Sequence, residues 1–182
     1  MSDQLIALAL VLVSGVILLF YGLRHRGKLP ALYPHPMFQA LGSEVGRVAE
    51  EGRDIHIALG KSGIAGSEAM TSVAAVRDLN TLVDLAASYD TPPLITTGDP
   101  TLYLLAQNRL RKAYSHLGNA AGFRLQSVQF VAPSPLTYAA LAATMLYDNQ
   151  IGSNITLGGF DQEVTLLTDA AYRKGVQCYG GA

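Results

Sequence analysis

Tryptophan is absent from this sequence, cysteine occurs once, and only 15% of the 182 residues are charged. A single cysteine cannot build a disulfide scaffold. Thirteen basic and 14 acidic residues give a formal charge of −1, which leaves no general cationic surface for nucleic acid. With 49% hydrophobic residues the chain is not a disordered one. The four histidines (His25, His35, His56, His116) include no pair at metal-ligand spacing, and Cys178 has no companion, so no metal site is indicated. There is no G-x-S-x-G nucleophile elbow. A triad built on Ser62 and Asp99 would lack a histidine at the strand ends. The nine tyrosines are scattered, with no array on which bases could stack.

What is present is hydrophobicity, and much of it lies at the front. The mean hydropathy is +0.25, high for a soluble domain of this size. From Leu5 to Leu23 no residue is charged. About 20 apolar residues at roughly 1.5 Å rise each match a bilayer core of about 30 Å. A cleaved signal peptide carries its positive charge before the apolar run. Here Asp3 and Gln4 precede it, whereas Arg24, His25, Arg26 and Lys28 follow it. The expectation is a membrane anchor over residues 1–28 with a basic cytoplasmic flank. Because Lys and Arg resist translocation, the N-terminus is expected outside and the remainder inside. An unpaired Cys178 fits a reducing compartment, and the sequon Asn154-Ile155-Thr156 then reads as chance. Gly15 and Gly22, seven apart, share one helix face on which another helix could approach.

Residues 29–36 form a proline-containing linker, expected to run extended. Residues 37–182 are enough for one core. Five short apolar runs, Ile55–Leu59, Leu94–Thr97, Val128–Ala132, Ile155–Gly158 and Val176–Tyr179, read as strands buried on both faces. Helical periodicity marks Pro36–Glu51, Ser67–Tyr89, Pro100–Leu117, Pro135–Asn149 and Gln162–Lys174. In Ser67–Tyr89 the apolar positions Met70, Val73, Val76, Leu79, Val83 and Ala87 form one stripe. Asp99-Pro100 and Ser134-Pro135 place a cap residue before a proline at the first helical position. Gly52, Gly118 and Gly175 stand where left-handed helix ends are wanted. Asp161 and Glu163 are placed to complement the helix that follows them. Strand–helix alternation predicts right-handed parallel units. The fold class is therefore α/β: an N-terminal transmembrane helix, then a Rossmann-like three-layer sandwich with a mostly parallel sheet of about five strands. The last strand, followed by Gly180, Gly181 and Ala182, is expected either to lie inside the sheet or to be covered by something else.

In such a sheet ligands bind beyond the carboxyl ends of the strands. The candidate lining there is Gly60, Lys61, Ser62, Gly63, Gly66, Thr97, Gly98, Asp99 and Ser134. Gly60-Lys61-Ser62-Gly63-Ile64-Ala65-Gly66 follows a strand and opens a helix, as in some dinucleotide-binding turns. The acidic partner of those turns lies about 20 residues on, whereas Asp99 comes 39 residues after Gly60. A phosphate loop would need glycine where Ile55 stands. Glycine also serves simply to turn a strand into a helix, and both readings stay open. His56, between two isoleucines, reads as a hydrogen-bonded core histidine.

The segments Pro36-Met37-Phe38-Gln39-Ala40-Leu41, Gly63-Ile64-Ala65-Gly66, Thr91-Pro92-Pro93-Leu94-Ile95-Thr96-Thr97-Gly98-Asp99-Pro100-Thr101 and Phe130-Val131-Ala132-Pro133-Ser134-Pro135 carry a resemblance over most of Pro30–Gly175. They resemble an uncharacterised family of bacterial membrane-anchored α/β domains whose members continue into further hydrophobic segments. The resemblance implies an anchored α/β body in the cell membrane and no particular reaction. The leading expectation is a non-enzymatic structural or accessory subunit of a membrane protein assembly, without catalytic residue or cofactor. Its partners would be the lipid bilayer and copies of itself or other membrane subunits, not nucleic acid. The alternative is a nucleotide- or small-anion-binding domain, possibly enzymatic, that uses the candidate lining. A third reading is sensing at the inner leaflet through Arg24, Arg26 and Lys28.

Overall fold

The computed structural model describes residues 2–24, 36–64, 68–148 and 150–181. The expected linker and its flanking His25, Arg26 and Lys28 lie outside the described residues. Internal contacts divide the chain into Met1–Pro36 and Met37–Ala182.

The first unit contains helix α1 (Ser2–Arg24). Its segment Gln4–Tyr21 has a mean hydropathy of 2.5 and buries none of its residues within the molecule. The helix is long and apolar enough to span a membrane. Gly15 has open space on its face of the helix.

The second unit is an α/β domain. In chain order its elements are α2 (Pro36–Glu50), β1 (Asp54–Ala58), α3 (Ala69–Ser88), β2 (Leu94–Thr97), α4 (Pro100–His116), β3 (Val128–Phe130), α5 (Pro135–Asp148), β4 (Ile151–Leu157), α6 (Val164–Lys174) and β5 (Gln177–Gly181). All strand pairs are parallel, in the order β3-β2-β1-β4-β5. The order reverses between β1 and β4, which places the switch point of this Rossmann-like sheet there.

Alternation along the strands sorts side chains onto two faces. Ile55, Ile57, Leu59, Ile95, Ile155 and Leu157 pack with α2, α3 and α4 in one apolar core. Ala58 and Ile151 pack with α5 and α6 in the other. β1 is buried from Ile55 onward and β4 along its whole length, as parallel strands between helical layers require.

The helix ends follow local chemistry. Asp99 Oδ1 accepts from the amides of Thr101 and Leu102, both at 2.9 Å, ahead of Pro100. Gly175 is left-handed at φ 67° and closes α6. Gly52 and Gly118 adopt the same conformation after α2 and α4. Glu163 stands at the N-terminus of α6, in a right-handed conformation and without a capping hydrogen bond.

Two strand readings are revised. β4 begins at Ile151, four residues before the apolar run, because Gly152, Ser153 and Asn154 are polar or small yet fully enclosed. Gly152 is an extra residue there: Asp54 pairs with Ile151, but Ile55 pairs with Ser153. A side chain at 152 would meet Val48 of α2 at 2.9 Å. β5 is not inside the sheet; it forms one edge, paired with β4. Among the described residues, no strand pairs with its outer side.

Candidate functional site

The carboxyl ends of β1, β2 and β4 converge at the switch point, and the structure brings most of the candidate residues together there. Gly60, at φ +70°, donates its amide to the Tyr138 hydroxyl at 3.3 Å. A Cβ at Gly60 would lie 2.7 Å from the Gly159 carbonyl oxygen, and one at Gly63 would lie 2.7 Å from Asp99 Oδ2. At Gly98 the collision would be with the Ala132 carbonyl oxygen, at 2.6 Å. Gly98 also donates its amide to the Gly60 carbonyl at 2.7 Å. Thr97 Oγ1 accepts the Asp99 amide at 3.1 Å. The glycines thus let four strand-end loops touch one another.

The polar side chains are engaged in the same closure. Buried Ser62 bonds the Glu68 carboxylate and donates to the Gly159 carbonyl at 3.1 Å. Lys61 Nζ lies 3.0 Å from Asp161 Oδ2. That hydrogen bond is the main influence raising the ammonium above its ordinary pKa, with Glu68 and Glu163 adding to it. Ser134 stands apart: its carbonyl accepts the Tyr138 amide at 2.8 Å and the residue is exposed. Gly66 lies outside the described residues. Among the described residues, no group of three His, Cys, Asp or Glu side chains could hold a metal ion.

Beneath the loops a chain of polar side chains crosses the sheet. Gly60 N–H meets Tyr138 Oη, and Tyr138 Oη meets Thr96 Oγ1 at 2.9 Å. Thr96 Oγ1 meets His56 Nε2 at 2.9 Å, and His56 Nδ1 meets Asn154 Oδ1 at 2.6 Å. Asn154 Nδ2 then points to Cys178 Sγ at 3.5 Å. With Asn154 Oδ1 as acceptor, Nδ1 carries the imidazole proton and Nε2 accepts from Thr96, so every donor can point the same way. His56 is wholly buried, and burial lowers its pKa to about 4. The core reading of His56 holds. Sequence reasoning missed its partners, because Thr96 precedes Thr97 and Asn154 follows Ser153, so neither stands out as a polar residue inside an apolar run. Asn154 is enclosed in the sheet, in keeping with a chance sequon.

The amino ends of β1, β2 and β3 hold an open cleft of about 370 Å³ lined by Arg53, Asp54, Asp90, Arg124 and Gln129, among others. Burial raises the Asp54 carboxyl above its ordinary range, and Arg124 partly offsets that. Asp90 is left-handed at φ 53° and accepts from Asn119 Nδ2 at 2.9 Å. Charges of both signs meet there. Nothing in the sequence pattern pointed to this cleft, because its residues come from three separate turns.

With that geometry in view, the comparisons place the chain. It belongs to the family of the DUF6754 domain, a domain of unknown function whose model matches residues 1–182. No curated protein and no solved structure matches it.

Proposed function

We propose that the chain is a membrane-anchored, non-enzymatic accessory subunit of a bacterial membrane assembly. In this reading α1 spans the cell membrane with its N-terminus outside. The α/β domain lies in the cytoplasm and packs against copies of itself or other subunits. The observation that carries the reading is the closure of the loops at Gly60, Gly63, Gly98 and Gly159 on one another, over the centre of the edge where an enzyme of this fold class keeps its substrate crevice. Two further features support it. Every described side chain of Gln4–Tyr21 is exposed, which in water is unfavourable by about 25 cal/mol per Å² of apolar surface. The carboxylates of Glu68, Asp161 and Glu163 around Lys61 disfavour a nucleotide or other anion at the switch point.

Cys178 is the one cysteine and is exposed, so it reports topology directly. A membrane-impermeant maleimide should label it only after cells are permeabilised. Labelling in intact cells would overturn the cytoplasmic placement. The mass of the detergent-extracted particle tests the accessory role. A mass above one chain, or a co-purifying subunit, is expected; a strictly monomeric particle would sink that role.

A further inference from the structure

One group at the switch point is left unexplained by the loop contacts. Glu163 is 5% exposed, and its Oε1 is buried without a hydrogen-bond partner among the described residues. A buried carboxylate oxygen in that state is costly unless a cation compensates it. Glu163, Gln162 and Asp161 line an open cleft whose other wall is Pro135 and exposed Leu136. The cation within reach is Lys61, but its ammonium is hydrogen-bonded to Asp161 and feels Glu163 more weakly. Glu68, the third carboxylate, is bound to Ser62.

We propose that this cleft binds a primary ammonium carried on an aliphatic stem. The head sits between Asp161 and Glu163, in competition with Lys61, and the stem lies along Pro135 and Leu136. An ammonium is a compact point charge with three donors, suited to two carboxylates that cannot form a cage. A divalent metal ion would need about six oxygen ligands, and among the described residues no group of three carboxylate, His or Cys side chains could supply them. Anions meet net negative charge. The apolar wall suits methylene groups, as long charged side chains use elsewhere. Two sources carry this chemistry: a free diamine and the lysine side chain of a partner polypeptide. The site stands whether or not α1 lies in a bilayer.

The test titrates the full chain in detergent micelles with 1,4-diaminobutane and, separately, with Nα-acetyl-lysine amide. NaCl at matched ionic strength is the control, and the melting temperature is the readout. A saturable rise with either amine is expected. Response to the diamine alone identifies a free amine as ligand; response to the lysine derivative identifies a lysine-bearing partner. Glu163→Gln should weaken binding by about tenfold, the loss of one charged hydrogen-bonding partner. Asp161→Asn, at an exposed carboxylate, gives the same reading should Glu163→Gln fail to fold. Lys61→Met should tighten binding severalfold, because the resident competitor is gone. Asp169→Asn, on the outer side of α6, should leave it unchanged. The proposal is overturned if neither amine gives a saturable response with the wild type and with Lys61→Met. An equal response to NaCl overturns it too. So does stabilisation by inorganic phosphate that Lys61→Met abolishes.

Discussion

The two faces of the sheet are built from the same strands but by different physics. On the side covered by α2, α3 and α4, Ile55, Ile57, Ile95 and Ile155 meet a continuous apolar layer. On the side covered by α5 and α6, His56, Thr96 and Asn154 are just as deeply enclosed but are hydrogen-bonded to one another and to Tyr138. The first face gains from burial that is nearly indifferent to which apolar side chain sits opposite which. The second tolerates one arrangement, because each misplaced polar atom would be stranded. Both sides bury apolar side chains, but only the hydrogen-bonded side also specifies the register.

Substitutions can break this contrast. Ile57→Ala, on the apolar face, should cost about 3–4 kcal/mol by chemical denaturation, with a similar loss at pH 7 and pH 5. Acid should act on the other face. His56 titrates near pH 4 in the folded chain and near 6.5 when unfolded. The unfolded state therefore takes up the proton first. Stability is complete above about pH 6.5 and falls as pH drops to about 4, by about 3 kcal/mol in all. His56→Leu should flatten that part of the pH–stability curve; an unchanged slope would show that His56 is not its source.

Smaller effects sharpen the comparison. Tyr138→Phe removes the hydroxyl that joins the Gly60 amide to Thr96. A loss of about 1–2 kcal/mol is expected, together with faster amide exchange at Gly60 measured by hydrogen–deuterium exchange. Asp99→Ala removes two hydrogen bonds to the α4 amides and should cost about 1 kcal/mol. A near-zero change in melting temperature would mean that water replaces the cap.

Much of the fold was legible because it rests on local chemistry. Asp99 before Pro100, and glycine at 52, 118 and 175, fix helix ends through hydrogen bonds and positive φ angles that depend on immediate neighbours. The short runs Ile55–Leu59 and Leu94–Thr97, bounded by polar or glycine-containing turns, marked β1 and β2 because strands enclosed on both sides are mostly apolar. The start of β4 was hidden because Ser153 and Asn154 resemble loop residues until the side chains facing them are known. The edge position of β5 was equally hidden, since strand order is set by packing between distant segments. At the candidate site the sequence identified Gly60–Gly63 and Thr97–Asp99 as neighbours. It could not tell glycines that admit a ligand from glycines that admit another loop. Glu163 was read as an aid to its helix because position suggested it, and its burial follows from the fold of the β1 and β4 loops around it.

The insertion at Gly152 has a wider consequence. Were the Asp54–Ile151 pairing continued through Gly152 with no bulge, Asn154 would stand opposite Ile57 rather than His56. The amide would then turn into the oily layer, and Ser153 would take its place opposite the imidazole. Forcing Gly152 into the ladder would therefore exchange inside-out the distal half of the strand, whereas deleting it would leave Ser153–Leu157 paired as they are. The frame of the whole central ladder is keyed to a residue that has no side chain.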